Sequence, residues 1–332
     1  MVGGLGRALA DAGHDVVLVT PDRDPRDGQC LPAGVWQGLE TRRLPWAGTA
    51  SWPWMKGLGE AVADRDVVHL HGIDGNLFAL ARGRVPFVVQ THGLRFHRVR
   101  SPWWRRLVQG VVAPPLRRAA AVWATSRVDQ ALLGGVPSTV MAPGVDVDRT
   151  RRAGTGLAGL WVVPGRIDAH KGHADLIRSV ARMDAPPKRV EVLGGDGGSG
   201  LVDGLARLCR RLGVADIFAF RGELERASFD RRVAEAEWAI FPSTFESFGL
   251  GVVEAQAAGV DVAVSPFGAL PERVDHGAAG VVLDFAGRAA PAALTALRTD
   301  AARRQRADAL VKASAWSVRV HDYVAGYAQA LA

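Results

Sequence analysis

Short apolar runs alternate with helical patterns along the whole chain, and this alternation forms two comparable sets. The runs of the first set are residues 16–19, 67–70, 87–90, 121–124 and 138–141. The runs of the second set are residues 159–163, 189–193, 217–220, 238–241, 261–264 and 280–283. Strands that alternate with helices pair into parallel sheets covered by those helices. The sequence therefore predicts an α/β chain with two doubly wound domains.

The composition agrees with two globular domains. The chain has 332 residues, of which 48% are hydrophobic and 23% charged, and a domain usually takes about 100–200 residues. We place the first domain at residues 1–150 and the second at 151–314, with a C-terminal helix at 315–332. The break falls in the polar, glycine- and arginine-rich stretch at 148–157. Residues 1–7 are typical of a glycine loop that follows a first strand, so that strand is expected to be missing or to lie upstream.

The charge and the cysteines limit the partners and the compartment. A net charge of +7 and a pI near 10.2 favour an anionic partner, which leaves nucleic acid, acidic lipid and phosphorylated substrates open. Cys30 and Cys209 lie far apart and match no metal spacing, so a disulfide framework is not expected and a reducing cytoplasm is favoured. No apolar run has the roughly 18 residues of a membrane-spanning helix.

Two glutamates, Glu246 and Glu254, are spaced eight residues apart around an apolar segment with two glycines. We interpret the segment as a turn that opens into a helix, on which residues eight apart face nearly the same way. The amides of Ser247, Phe248, Gly249 and Leu250 would form the helix N-terminus, which attracts phosphate. Carboxylates for hydroxyls beside amides for phosphates suit a nucleotide sugar, whereas two solvated glutamates are the alternative.

Two cations, Arg166 and Lys171, follow the first strand of the second set. Positive charge at the end of a strand could stabilise a diphosphate leaving group without a metal. Gly3 and Gly4 would let the backbone approach the diphosphate or the acceptor. The glycine-rich stretch at 194–198, which includes Gly195, closes another strand and is a weak signal by itself. The acidic triplets at 22–24 and 64–66 are interpreted as loops rather than metal sites.

Histidines cluster at the predicted strand ends of the first domain. His92 ends one strand, and strand alternation places His69 and His71 on the same face of another. That pair could bind a metal, but no third ligand is evident, so a polar lining is favoured. Asp74 follows closely and could bind acceptor hydroxyls.

A basic and aromatic segment at 95–106 contains Trp103, Trp104, Arg105 and Arg106. Interleaved tryptophan and arginine suit an anionic membrane surface. Such residues could also stack on single-stranded nucleic acid, but no nucleic-acid motif accompanies them, and a partly buried helix is the remaining alternative.

These motifs resemble those of retaining glycosyltransferases of the GT-B fold, the glycosyltransferase family 4 or group 1. The resemblance rests on Glu246 with Glu254, on the Gly-Arg…Lys-Gly pattern at 165–172, and on Thr-His-Gly at 91–93. Residues 66–74 are also similar to mannosyltransferases of xanthan- and acetan-type exopolysaccharide assembly. The resemblance implies two Rossmann-like domains facing a central cleft, an acceptor-binding first domain, a nucleotide-sugar-binding second domain, and a C-terminal helix crossing back to the first.

The resemblance also implies an activity and its residues. Mannose would pass with retention from GDP-mannose to a polyprenyl-diphosphate-linked cellobiosyl acceptor, without metal or cofactor, at the inner face of the cell membrane. His92, Glu246, Arg166 and Lys171 would be catalytic. The donor-binding residues would be Arg166, Lys171, Glu246, Ser247, Phe248, Gly249, Leu250, Glu254, Gly4 and Gly195. The acceptor-binding residues would be His69, His71, Asp74 and Phe96.

Other functions stay open on the sequence alone. A UDP-glucose or UDP-GlcNAc donor with another lipid or glycan acceptor is the main competitor, because base-selecting contacts come largely from the backbone. A nucleotide-sugar epimerase of the same fold would need no acceptor. A scaffold without activity that binds lipid or nucleic acid is the alternative from another class.

Overall fold

The computed structural model describes residues 1–24, 28–31, 34–49, 52–93, 102–147 and 156–332, without the side chains of 102–108. The chain forms two compact units. The first contains Met1–Gly144 together with Trp316–Ala332, and the second contains Val145–Ala315. Each unit combines helices with parallel strands, which confirms the predicted fold class of two Rossmann-like α/β domains.

The first unit is built around a four-stranded parallel sheet. Its strands pair in the order β6-β7-β8-β9, while β1 and β2 flank β3, and β4 pairs with β5 in a hairpin. The strands are β1 (Val17–Pro21), β2 (Gly34–Trp36), β3 (Leu39–Leu44), β4 (Trp46–Thr49), β5 (Trp52–Met55), β6 (Val68–His71), β7 (Phe87–Gln90), β8 (Ala121–Ala124) and β9 (Thr139–Val140). The helices are α1 (Val2–Asp11), α2 (Leu58–Ala61), α3 (Asn76–Leu80), α4 (Pro102–Leu116), α5 (Arg127–Ala131) and α13 (Trp316–Leu331).

The second unit contains a six-stranded parallel sheet in the order β12-β11-β10-β13-β14-β15. The strands are β10 (Leu157–Pro164), β11 (Arg189–Leu193), β12 (Phe218–Phe220), β13 (Ala236–Phe241), β14 (Asp261–Val264) and β15 (Val281–Val282). The helices are α6 (His173–Val180), α7 (Leu201–Arg211), α8 (Arg226–Glu235), α9 (Leu250–Ala257), α10 (Leu270–Arg273), α11 (Ala290–Thr295) and α12 (Ala301–Ala313).

The strand order of this sheet fixes where a ligand is expected. From β10 the chain winds outward to β11 and β12 on one side, and then returns to β13 on the other side. In open parallel sheets, ligands bind outside the carboxyl ends of the strands where the winding reverses. The segments that follow β10 and β13 therefore occupy the expected binding position.

The C-terminal helix α13 belongs to the first unit, which confirms its predicted return to that domain. Tyr323 on α13 is fully buried, and its hydroxyl lies 2.7 and 3.0 Å from the amide nitrogen and oxygen of Gln90 on β7. Trp123 and Met141 pack with Tyr323 in the same apolar cluster. A buried Tyr hydroxyl needs such a partner, so this pair fixes the helix on the sheet.

Four strands of the first unit were not predicted: β2, β3, β4 and β5. Their sequences lack the continuous apolar runs of buried parallel strands. In β3, four polar or charged residues stand between Leu39 and Leu44, and the β4–β5 hairpin contains Gly48 and Pro53. These strands are therefore stabilised by pairing and by contacts elsewhere in the unit rather than by a strong local signal.

Candidate active site

A cavity of about 220 Å³ lies in the second unit, at the carboxyl ends of β10 and β13. It is where the reversal of strand order predicts a ligand. Its polar lining includes Arg166, Lys171, His173, Ser243, Glu246 and Glu254. Three predicted catalytic residues, Arg166, Lys171 and Glu246, and the predicted donor-binding residue Glu254 line this one cavity.

The loop that carries Lys171 and the loop that carries Glu246 pack closely together beside this cavity. Their close approach requires a glycine at position 172. Its φ of +69° is in the left-handed region, and a Cβ there would lie 1.9 Å from the carbonyl oxygen of Pro242. Thr244 completes the contact by donating hydrogen bonds to the carbonyl of His170 from its amide (2.7 Å) and its hydroxyl (3.0 Å). The glycine of the Gly-Arg…Lys-Gly pattern thus holds the lysine-bearing loop against the glutamate-bearing loop.

Lys171 and Glu246 are joined directly across these loops. The Lys171 Nζ lies 2.5 Å from Glu246 Oε1, and the Ser243 hydroxyl donates to the same oxygen at 3.0 Å. Both charged side chains are about three-quarters buried. Ala269 donates from its amide to the Glu246 carbonyl at 2.8 Å, which fixes the loop from behind.

Glu246 does not lie on the helix that carries Glu254, so the predicted reason for their common direction is wrong. Helix α9 begins at Leu250, after Gly249 in the left-handed conformation, and Glu246 precedes it in an irregular loop. Glu254 lies on α9, and the two carboxylates still line the same cavity. The loop, rather than a shared helical face, brings them together.

Arg226 and His173 are site residues that the sequence did not single out. Arg226 lies 3.2 Å from the Glu254 carboxylate and 2.9 Å from that of Asp230. Its spacing with Asp230 on α8 is visible in the sequence, but its contact with Glu254 depends on the tertiary structure. His173 lines the cavity, is buried, and has no partner for Nδ1 among the described residues.

The other donor candidates lie in different surroundings. Gly249 and Leu250 line the cavity at the N-terminus of α9. Phe248 is buried, with the Arg273 guanidinium 4.5 Å from its ring centre. A Cβ on Gly195 would lie 3.0 Å from Glu223, and one on Gly4 would lie 2.3 Å from Trp316. The lack of a side chain at Gly4 is thus explained by packing, and its role toward a donor remains a prediction, as does that of Ser247.

The histidines of the first unit meet at the carboxyl ends of β6 and β7. His71 Nδ1 lies 2.9 Å from His92 Nε2, and the rings of His69 and His71 stack with centres 4.1 Å apart, as strand alternation predicts. His69 Nδ1 lies 2.6 Å from the hydroxyl of Tyr327 on α13. Among the described residues, no group of three or more His, Cys, Asp or Glu side chains could hold a metal ion.

Burial keeps these histidines uncharged. It lowers the pKa of His69 to about 3 and that of His92 to about 4, and the pKa of His71 is also well below its usual value. In the second unit, burial and then the neighbouring Lys171 lower the pKa of His173 to about 4. Neutral imidazoles can accept or donate hydrogen bonds near pH 7, so His92 suits a polar contact better than an ionic one.

We predict that His173 makes the protein less stable in mild acid. Between pH 6.5 and about 4 the unfolded chain protonates this histidine while the folded chain does not, so folding stability falls as the pH falls through that window. Urea unfolding measures how much the free energy of unfolding falls between pH 7 and pH 5. In His173→Leu this fall should be smaller than in the native chain by about 1–2 kcal/mol. His14→Leu, at an exposed position, is the control and should show the same fall in the free energy of unfolding as the native chain. An equal fall in the native chain and in both variants would contradict the prediction.

Some predicted residues lie outside what the structure describes. Phe96 falls in the undescribed stretch 94–101. Trp103, Trp104, Arg105 and Arg106 lie within α4, but their side chains are outside the described set. Among the described residues, every helix is too short or too polar to cross a membrane.

Two family profiles match this chain over most of its length. Residues 1–149 match the profile of Glycosyltransferase Family 4, and residues 159–309 match that of Glycosyl transferases group 1. D-inositol 3-phosphate glycosyltransferase of Mycobacterium leprae is 31% identical over 313 residues, covering 83% of this chain and 70% of the relative. The chain belongs to glycosyltransferase family 4, and these matches support a hexosyltransferase activity.

Solved structures agree on the fold. Sucrose-phosphate synthase from Thermosynechococcus elongatus is 21% identical with a TM-score of 0.77, covering 98% of this chain and 91% of that one. Anabaena HepE in complex with UDP and glucose is 18% identical with a TM-score of 0.68, covering 88% of this chain and 86% of that one. At these identities the likeness concerns the fold alone.

Proposed function

We propose that this chain is a retaining glycosyltransferase that transfers a hexosyl group from a nucleotide sugar bound in the cavity of the second unit. The main support for this proposal is that Arg166, Lys171, Glu246 and Glu254 all line that cavity. HepE, a protein of the same fold, has been solved with UDP and with UDP-glucose, which supports a nucleotide-sugar donor here.

The cations are proposed to bind the donor diphosphate. As the bond from the anomeric carbon to the phosphate oxygen breaks, negative charge builds on that oxygen, and Arg166 and Lys171 stabilise it electrostatically. The free amides at the N-terminus of α9, at Leu250 and Gly251, add donors for the same group. No metal is required in this proposal, so EDTA should leave transfer unchanged.

The carboxylates are proposed to hold the hydroxyls of the donor. Glu246 contacts the hexosyl hydroxyls and Glu254 those of the ribose. The anomeric carbon passes through an oxocarbenium-like state, as in other glycosyl chemistry. The acceptor oxygen bonds to this carbon on the face that the phosphate leaves, and its proton passes to the leaving phosphate. In the first unit, uncharged His92 is proposed to form a hydrogen bond with a hydroxyl of the acceptor.

The ion pair between Lys171 and Glu246 leads to a prediction about donor binding. The Lys171 ammonium group is already paired with the Glu246 carboxylate at 2.5 Å. A diphosphate that binds the lysine must therefore displace this carboxylate. Glu246→Gln removes that competing charge, so the affinity for free UDP or GDP should rise several-fold while hexosyl transfer falls by about 10²-fold or more. Isothermal titration calorimetry and turnover on the same preparations measure the two effects.

Glu272→Gln is the matched control, since it removes a carboxylate that pairs with Arg273 rather than with Lys171. It should change nucleotide affinity little. Weaker nucleotide binding in Glu246→Gln would show that the pair is not in competition with the diphosphate.

The identity of the donor and of the acceptor is a finer proposal. We retain GDP-mannose and a polyprenyl-diphosphate-linked cellobiosyl acceptor as one candidate pair. A phosphorylated cyclitol acceptor is a second candidate, favoured by the similarity to D-inositol 3-phosphate glycosyltransferases. The test is a turnover matrix of GDP-mannose, UDP-glucose, UDP-GlcNAc and UDP-galactose against both acceptor types. Use of one donor supports the function, whereas failure to bind or turn over any of them contradicts it.

We also propose that the protein works at an anionic membrane surface, through Trp103, Trp104, Arg105 and Arg106. Binding to phosphatidylglycerol vesicles should be clear at low salt and weaken as salt rises, because salt screens such contacts. Reversing the charge in Arg105→Glu/Arg106→Glu should reduce it, whereas Arg303→Glu on α12 should not. Absence of vesicle binding at low salt would remove this proposal and leave the transferase proposal intact.

A further inference from the structure

Three aromatic side chains form a partly exposed surface on the first unit, which we call the aromatic shelf: Trp52 and Trp54 on β5, and Phe78 on α3. Side chains alternate along a strand, so Met55 enters the core while Trp52 and Trp54 face outward. Trp52 is 38% exposed and Trp54 is 44% exposed. The ring centres of Trp52 and Phe78 lie 6.3 Å apart.

The shelf is attached to the loop that carries Asp74. Gly75 donates from its amide to the Pro53 carbonyl at 3.1 Å, and Met55 donates from its amide to the Asn76 side chain at 2.7 Å. A Cβ on Gly75 would lie only 2.7 Å from the Trp54 Cβ. Trp54 therefore packs directly on the residue that follows Asp74, which places a carboxylate-bearing loop at the border of the aromatic surface.

The Asp74 loop is held in a defined shape. The Asp74 carboxylate accepts a hydrogen bond from the Asn76 amide at 2.9 Å, and burial raises the pKa of this carboxyl group. The strand β6 that precedes the loop ends with His71, which contacts His92. The shelf thus adjoins the segment that links the acceptor candidates His71 and Asp74.

Exposed apolar side chains that are grouped in one patch, as Trp52 and Phe78 are, often mark a binding site. An anionic membrane surface would favour a net positive charge beside the rings. The exposed Lys56 that follows β5 is instead balanced by the carboxylate on the loop packed against Trp54. A pyranose ring fits both features, since its C–H face can cover an indole while its hydroxyls donate to a carboxylate. The charge beside the shelf therefore favours a saccharide.

We propose that the aromatic shelf and Asp74 form a subsite for a pyranose ring of the acceptor. The inference rests on the proposed transferase function and adds to it a saccharide acceptor and the residues that hold it. Trp54 supplies the stacking surface nearest to Asp74, and Trp52 with Phe78 extends it toward a second sugar ring.

The test measures binding of cellobiose and of methyl α-mannoside to the native protein by saturation-transfer NMR and calorimetry. For whichever of the two saccharides binds the native protein, Trp54→Ala should lower the affinity by about 10-fold or more. Trp54→Phe, which keeps an aromatic ring, should lower it by only a few-fold. Trp54→Leu, apolar without a ring, should resemble Trp54→Ala. Trp36→Ala removes another exposed tryptophan of this unit and is the matched control, expected to bind like the native chain.

Several outcomes would overturn the subsite. These are no binding of either saccharide to the native protein, equal binding by Trp54→Ala, or Trp54→Leu behaving like Trp54→Phe. A loss of vesicle binding in Trp54→Ala without a loss of saccharide binding would assign the shelf to a membrane instead. Unfolding midpoints of all variants show whether a loss reflects misfolding, and Trp54→Phe keeps the test decisive if Trp54→Ala does not fold.

A nucleotide titration separates this inference from the proposed function. Trp54→Ala should bind UDP or GDP with native affinity, because the cavity proposed to bind the nucleotide lies in the second unit. If the native protein binds saccharide but no nucleotide, the function fails while the subsite stands. If it binds nucleotide and the shelf variants bind saccharide normally, the subsite fails while the function stands.

Discussion

Replacement of Lys171 by alanine is expected to reduce hexosyl transfer by about 10²–10³-fold while the fold is kept. The lysine is the cavity cation that lies 2.5 Å from Glu246, and its side chain is proposed to stabilise charge on the departing diphosphate. Initial rates with the best donor, together with the unfolding midpoint, measure both parts of the prediction. Affinity for the free nucleoside diphosphate should fall as well.

Two further variants sharpen this result. Lys171→Arg keeps the charge but changes its geometry, so it should retain more activity than Lys171→Ala. Lys312→Ala removes an exposed lysine at the end of α12 and should leave the rate unchanged. Retention of most activity in Lys171→Ala and also in Glu246→Ala would contradict the assignment of this cavity as the active site.

The largest effect on stability is expected from Arg232→Ala. Glu191 on β11 is fully buried, and Arg232 on α8 binds its two carboxylate oxygens at 2.6 and 2.7 Å, while Arg221 binds one of them. Removing one partner of a buried ion pair leaves a poorly compensated charge, which usually costs several kcal/mol. Because Arg221 remains, we expect a loss of roughly 2–4 kcal/mol in the free energy of unfolding at pH 7.

The pH dependence tests the cause of that loss. Burial alone raises the pKa of Glu191, but hydrogen bonds from Arg232 and Arg221 outweigh burial and lower it to about 2. The stabilisation is therefore present above pH 4.5 and is lost as the pH falls toward 2. Denaturant unfolding should show a smaller difference between Arg232→Ala and the native chain at pH 3 than at pH 7.

Arg178→Ala is the matched control, because it breaks an exposed ion pair with Asp175 in the same unit. Exposed pairs of this kind contribute about 1 kcal/mol or less. Equal losses from Arg232→Ala and Arg178→Ala at pH 7 would show that the buried network contributes no more than a surface pair.

The sequence predicts the strands that are buried between helices and misses those at the surface. Residues 87–90, 121–124, 189–193 and 261–264 were predicted with the bounds that the structure has, because strands buried on both faces read as continuous apolar runs. The hairpin β4–β5 has no such run. Its tryptophans are organised by the cross-strand pairing of β4 with β5.

The site shows the same limit at a finer scale. Glycine and charged-residue spacing was enough to single out Lys171 and Glu246, since both follow buried strands whose ends meet at one edge of the sheet. Sequence spacing could not reveal that Glu246 precedes the helix, nor that Arg226 on α8 contacts Glu254 on α9. Those contacts depend on how loops and helices pack in three dimensions, so the local sequence pattern does not predict them.

The most direct test of the central claim follows transfer by NMR with the native protein, the donor panel and both types of candidate acceptor. The account predicts that one nucleotide sugar is consumed and that the new glycosidic bond has the same anomeric configuration as the donor. An inverted product would contradict retention, and failure to consume any nucleotide sugar would contradict the transferase itself.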